Sequence, residues 1–188
     1  MARGTLILVV GPSGAGKDSV LDGAKARLAG DSSVLFPARV VTRPAQAGGE
    51  AHVPATAEQF AALRAAGGFV LSWEAHGLSY GIPRTVADDL AAGRTVIVNV
   101  SRAVIDEARR TLAPVRVAVI TASPETLARR LAARGRETEA DIAERLRRAT
   151  FAMPSGDDVT VIDNGGALDE AVERFVGLIK QVTAAPVH

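Results

Sequence analysis

The sequence predicts a three-layer α/β fold built around a parallel central sheet, and three observations carry that prediction. Short β-rich runs alternate with longer helical patterns along nearly the whole chain. The runs at 5–10 and 95–100 are continuously apolar rather than alternating, the mark of strands covered on both faces. The first of these runs leads straight into a glycine-rich loop that opens a helix.

Taken in order, "TLILVV" (5–10), "ARVVT" (38–42), "FVLSW" (69–73), "TVIVNV" (95–100), "VRVAVIT" (115–121) and "DVTVID" (158–163) read as strands. Helical patterns fall near 17–29, 57–66, 84–92, 102–112, 124–134, 139–152 and 167–183. Residues 36–84 break the alternation: Pro37, Pro44, Pro54 and Pro83, the pair Gly48-Gly49, and the one Trp and one Tyr predict a small lobe with its own loops. Residues 129–148 hold seven arginines against four acids, with Gly135 separating two helical pieces. Thr138 and Asp141 have capping-box spacing ahead of Ile142 and Leu146, which places a helix start near 139.

A length of 188 residues suits one domain with small appended lobes. The formal net charge of +1 supplies no global field toward nucleic acid or anionic membrane, so neither is expected as a partner. The absence of cysteine excludes disulfides, thiolate catalysis and cysteine-based zinc sites. The apolar run at 6–10 is too short for a signal core, and no stretch approaches the roughly 20 residues of a membrane span. The expectation is a soluble, cytoplasmic protein, with its oligomeric state left open.

The loop is "GPSGAGKDSV", residues 11–20. Gly11, Pro12, Ser13, Gly14, Ala15, Gly16 and Lys17 have the spacing and the strand-loop-helix context of a phosphate-binding P-loop. Its glycines let successive N–H groups wrap an anion, and the following helix aims its positive end at the same point. Lys17 would reach the β- and γ-phosphates. After the lysine, where a hydroxyl normally meets Mg²⁺, stands Asp18. A carboxylate is also a hard oxygen ligand, so Asp18 is expected to hold the ion directly or through water. Ser19 is adjacent but turned about 100° away along the helix.

Five blocks, taken in order, resemble the guanylate kinase superfamily: the P-loop, "TRPAQAGGE" (42–50), "HGLSYGIP" (76–83), "LARRLAARGRETEADIAERLRRA" (127–149) and "VIDNGGALDEA" (161–171). Within it, the combination "GPSGAGKDS", "TRPA…GGE" and "HGLSYGIP" is most similar to the ribose 1,5-bisphosphate phosphokinases of phosphonate catabolism, where an aspartate after the P-loop lysine is familiar. The resemblance implies a P-loop NTPase fold of guanylate kinase type, with a core at 1–35, 93–126 and 154–188, an acceptor-binding lobe at about 36–92 and a helical lid at about 127–153. It also implies ATP and Mg²⁺ as cofactors and a phosphorylated sugar as acceptor.

Departures from guanylate kinases point the same way. The second acceptor-lobe arginine and a phosphate-contacting tyrosine are missing, and Ser72, not a glutamate, precedes Trp73. A guanine pocket missing its reading groups forfeits discrimination. Arg43 with Arg39, Glu50, His52, His76 and Tyr80 would suit a compact, highly phosphorylated sugar, whereas Trp73 reads as core. Asn99 stands where the superfamily places a strand-end aspartate near the metal, as though charge had moved to Asp18. By resemblance, Arg130, Arg134 and Arg145 are the lid's candidates for neutralising the transferring phosphoryl group, and Asn164 borders the adenine site. The competing expectations are a guanylate kinase with an altered pocket and a non-catalytic guanylate-kinase-like interaction module.

Overall fold

The computed structural model describes residues 3–47, 49–135, 138–151 and 153–185. In chain order its elements are β1 (Leu6–Val10), α1 (Lys17–Arg27), β2 (Val34–Leu35), β3 (Val40–Val41), β4 (Val53–Pro54), α2 (Ala57–Ala65), β5 (Phe69–Ala75), β6 (Leu78–Pro83) and α3 (Thr85–Ala91). They continue with β7 (Thr95–Asn99), α4 (Ile105–Thr111), β8 (Val115–Thr121), α5 (Pro124–Ala133), α6 (Glu139–Phe151), β9 (Val159–Asp163) and α7 (Leu168–Ala184).

Five strands form a parallel sheet in the order β2-β7-β1-β8-β9. The continuous apolar runs are its centre: every residue of β1 and β7 is buried. Because alternate side chains leave a strand on opposite faces, β1 divides its residues between two cores. Ile7 and Val9 join Val20, Ala24, Val172 and Phe175 of α1 and α7. Leu6, Leu8 and Val10 join Val86, Leu90, Ile105 and Ala108 of α3 and α4. Helices on both faces of a parallel sheet are the three layers that the sequence predicts.

At Gly23, α1 packs closely on α7, since a Cβ there would lie 2.6 Å from Val172 Cγ2. The capping box predicted for the start of α6 is present. Asp141 N–H donates to Thr138 Oγ1 at 3.2 Å and Thr138 N–H to Asp141 Oδ2 at 3.2 Å.

The second sheet, β4-β3-β6-β5, departs from expectation. The strand predicted over 38–42 contracts to Val40–Val41. Within residues 36–84, read as a lobe with its own loops, Leu78–Pro83 is a strand that was not expected, antiparallel to β5. Only His76 and Gly77 form the turn, both at positive φ (54° and 72°), the combination of a tight two-residue hairpin. Gly81 lies within this strand because a Cβ there would meet the Phe69 ring at 2.5 Å. Tyr80 is therefore a strand residue, paired across the hairpin with Trp73.

Candidate active site

The site lies at the C-terminal ends of β1 and β7, where parallel α/β sheets present their crevice. The register that pairs Val9 with Asn99 sets the end of β7 beside the start of the loop. Two glycines of the loop are dictated by space. Gly11 has φ 153°, and a Cβ there would lie 2.0 Å from the Ile120 carbonyl oxygen. Gly16, at φ 84°, would meet Asn164 Nδ2 at 2.6 Å. No L side chain fits either place without moving backbone or a buried amide.

Lys17 opens α1. Its Nζ donates to the carbonyls of Gly11 (2.7 Å) and Pro12 (3.2 Å), which folds it back along the loop. Burial lowers its pKa to about 8, with Arg102, Arg39 and Arg134 pressing the same way and Asp18 opposing them. Burial is the main pull against the lysine's charge and the neighbouring guanidiniums add to it, a situation that an anionic ligand relieves.

Across from it runs a chain of four polar side chains. Asn99, buried at the end of β7, donates from Nδ2 to Asp18 Oδ1 at 3.3 Å and to Glu50 Oε2 at 3.1 Å. Glu50 Oε2 also accepts from Arg39 Nη2 at 2.6 Å, both side chains being 13% exposed. The Arg39 guanidinium lies 5.2 Å over the Tyr80 ring, which stacks on Trp73 at 5.3 Å and 3°. A stack of this kind holds the guanidinium flat.

Arg43 is fixed differently. Its Nη2 lies 3.2 Å from His52 Nδ1, and His52 Nε2 lies 3.0 Å from the Arg43 carbonyl. His52 Nδ1 also lies 3.1 Å from the Glu50 carbonyl, so the ring is seated between Arg43 and the Glu50 backbone. The Nε–H groups of Arg39 and Arg43 are both buried without a partner among the described residues.

These groups line a cavity of about 470 Å³. The loop contributes Gly11, Pro12, Ser13, Lys17 and Asp18; the second sheet and its loops contribute Arg39, Arg43, Glu50, His76 and Tyr80; β7 contributes Asn99. Other residues singled out by sequence lie elsewhere. Ser19 is exposed and off the cavity wall, and His52 stands behind Arg43. Arg130 donates to the carbonyls of Gly14 (3.2 Å) and Asn164 (2.7 Å). Asn164, which is buried, donates to the Ala15 carbonyl at 2.8 Å. Both brace the loop through Gly14 and Ala15 and are not among the cavity's lining residues. Arg134 ends α5 exposed, near enough to press on Lys17. The side chain of Arg145 lies outside the described residues.

Six lining residues, Gly49, Trp73, Ala75, Val100, Ser101 and Arg102, were not assigned a site role from the sequence. Trp73 belongs to the core and to the cavity wall at once. Ser101 and Arg102 follow Asn99 directly past the strand end, and that position was the signal that could have found them. Among the described residues no cluster of three or more His, Asp or Glu could hold a metal by itself, and no helix is long and apolar enough to cross a membrane.

A P-loop lysine facing an arginine-lined cavity at the crevice of a parallel sheet defines a phosphotransferase of the P-loop kinase class. The chain belongs to the guanylate kinase family, whose profile matches residues 3–182, and it is similar to proteins named ribose 1,5-bisphosphate phosphokinase. It is 44% identical over 176 residues to the ribose 1,5-bisphosphate phosphokinase PhnN of Agrobacterium fabrum, covering 94% of this chain and 96% of that one. It is 48% identical over 183 residues to the protein of the same name from Acidiphilium cryptum, covering 97% and 96%. The crystal structure of guanylate kinase from Anaplasma phagocytophilum superposes with a TM-score of 0.68 over 98% of this chain and 89% of that one; at 19% identity, the likeness is one of fold.

Proposed function

We propose that this protein transfers the γ-phosphoryl group of ATP to ribose 1,5-bisphosphate in the cytoplasm, forming 5-phosphoribosyl 1-diphosphate and ADP. The observation that carries this reading is the pair of arginines, Arg39 and Arg43, that line one cavity together with the P-loop and Arg102. A guanidinium matches a phosphate bidentately, and an acceptor that is phosphorylated at both ends offers one anion to each arginine. The full-length relatives named for this activity support the same acceptor.

In the reaction an oxygen of the acceptor's C1 phosphate attacks the γ-phosphorus, one P–O bond forms, and the bond to the bridging β-oxygen breaks to leave ADP. The attacking phosphate is already ionised near neutral pH, so the site needs no general base. Little covalent work falls to the protein, whose contribution is alignment and neutralisation of charge. Lys17 exchanges the Gly11 and Pro12 carbonyls for phosphate oxygens. Arg43, aligned by His52, and Arg39, held flat on Tyr80, orient the sugar bisphosphate within residues 36–92, the acceptor lobe of this reading. The pair α5 and α6 acts as the lid, bringing Arg134 and Arg145 to the triphosphate, while Arg130 keeps the loop in shape and Asn164 borders the adenine.

Mg²⁺ suits the donor set: the hard carboxylate oxygens of Asp18 beside the P-loop would hold it. When bound, the ion would offset phosphate charge during transfer. The test is release of ADP from Mg-ATP with ribose 1,5-bisphosphate and, separately, with GMP. Turnover with the sugar bisphosphate alone is expected. Turnover with GMP alone would overturn the reading.

A further inference from the structure

The mechanism above leaves Glu50 without a part, although it is the one carboxylate that the second sheet's loops bring into the cavity beside the P-loop. It sits between two systems. On one side it shares the Asn99 amide with Asp18, so that the two carboxylate oxygens lie no more than about 6 Å apart. On the other side the same oxygen accepts from Arg39, one of the two arginines of the second sheet and its loops that line the cavity.

We propose that Glu50 serves the nucleotide-bound metal as a second acidic group, and that by giving up Arg39 to do so it couples metal binding to binding of the phosphorylated acceptor. The proposal rests on the ATP- and Mg²⁺-dependent reading of the site. Reach permits it: an ion about 2.1 Å from an Asp18 oxygen carries waters that meet a second carboxylate roughly 4 Å from the ion. The upper bound that the shared amide sets on their separation keeps both carboxylates within reach of one direct and one water-mediated contact. Charge favours it as well. With a neutral amide at position 99, Asp18 alone would face the cation, and Glu50 restores the second negative charge from another part of the chain.

The coupling follows from the Arg39 pair. In the resting site Glu50 Oε2 holds Arg39 Nη2 at 2.6 Å, while Arg39 Nε is buried without a partner. A cation beside Asp18 competes for the Glu50 charge and loosens its hold on Arg39, whose guanidinium then turns more of its donors to an acceptor phosphate. By linkage the effect is reciprocal, so acceptor binding must tighten the metal by the same factor. Asn99 is the joint, its single amide keeping both carboxylates in range.

The first arm of the test contains no sugar. Mn²⁺ binding to the protein with ADP is measured by electron paramagnetic resonance for wild type, Glu50→Gln and Arg39→Gln. Glu50→Gln keeps an oxygen that can accept from Asn99 and loses only the charge; it should weaken Mn²⁺ about tenfold. Arg39→Gln unmasks Glu50 and should tighten Mn²⁺ or leave it unchanged. Unaltered Mn²⁺ affinity in Glu50→Gln would overturn the proposal, and so would equal weakening in both variants, which marks a general collapse of the cavity.

The second arm uses the fluorescence of Trp73, the only tryptophan, which lines the cavity. Ribose 1,5-bisphosphate is titrated into the ADP complex with Mg²⁺ and with chelator. Wild type should bind several-fold more tightly with Mg²⁺, and the ratio should fall to about one in Glu50→Gln; an unchanged ratio overturns the coupling. A wrong acceptor would show as no sugar binding by wild type in this arm, while the Mn²⁺ arm still decides the metal role of Glu50.

Discussion

Raising the pH should weaken nucleotide binding through Lys17 in a way that can be calculated. Its pKa is lowered to about 8 in the free site, chiefly by burial. Phosphate oxygens replacing the Gly11 and Pro12 carbonyls favour the charged form, so the bound pKa returns toward the ordinary value of about 10.4. Nucleotide binding must then take up a proton wherever Lys17 is neutral beforehand. With a free pKa of 8 that uptake is about 0.1 proton at pH 7, about 0.5 at pH 8 and about 0.9 at pH 9. The apparent Kd for ADP should rise about twofold between pH 7 and 8 and roughly another fivefold by pH 9. Calorimetry at pH 7, 8 and 9 in two buffers of different ionisation heat measures both quantities.

The same shift bears on folding with its own sign. The folded pKa lies below the unfolded one, so the unfolded chain binds more protons between pH 8 and about 10.5. Lys17 therefore destabilises the free protein below pH 8, and that cost fades as pH rises through this window. Lys17→Met should abolish turnover and remove both pH dependences. A Kd for wild type that stays flat from pH 7 to 9, with no proton uptake, would refute the picture of a lysine neutralised by burial.

Asp18→Ser should weaken Mg²⁺ activation by tenfold or more while leaving the fold intact, checked by the Mg²⁺ concentration dependence of ADP release. An unchanged Mg²⁺ requirement would dismiss the transfer of metal-binding charge from the strand end to this residue. His52→Ala, which removes the partner aligning Arg43, should raise the acceptor KM about tenfold and leave the KM for ATP nearly unchanged, as initial-rate kinetics would show. Gly23→Ala places a methyl 2.6 Å from Val172 Cγ2. Overpacking there should cost about 1–3 kcal/mol, offset by at most about 1 kcal/mol of helix propensity. Urea unfolding should show a lower midpoint.

What could be read from the chain was local. β1 and β7 were legible because strands buried on both faces must be apolar throughout, and the P-loop because its glycines are required at fixed spacing. The capping box of Thr138 and Asp141 has the same origin. The hairpin of β5 and β6 was hidden because its turn is His76-Gly77 rather than a familiar Asn-Gly pair, and because Gly81 and Pro83 look like breakers. Gly81 is there to admit the Phe69 ring. β2 is two residues long and is defined only by pairing with β7, which begins sixty residues later.

Within the site, the side chains that face phosphates could be nominated by type, but their partners could not. Asp18, Asn99, Glu50 and Arg39 meet only because β7, α1 and the loops of the second sheet converge. Arg130 was nominated by resemblance as a lid cation, and its guanidinium is held by carbonyls of Gly14 and Asn164. Backbone acceptors leave no signature in sequence.

The central claim is that the γ-phosphoryl group of ATP goes to the C1 phosphate of a sugar bisphosphate. Phosphorus NMR of the complete reaction with Mg-ATP and ribose 1,5-bisphosphate tests it most directly. The account predicts a new pair of coupled resonances from a sugar-linked diphosphate, growing at the rate at which ATP is converted to ADP, with the C5 phosphate resonance preserved. Conversion of ATP with only inorganic phosphate appearing, or with the sugar resonances unchanged, would contradict it.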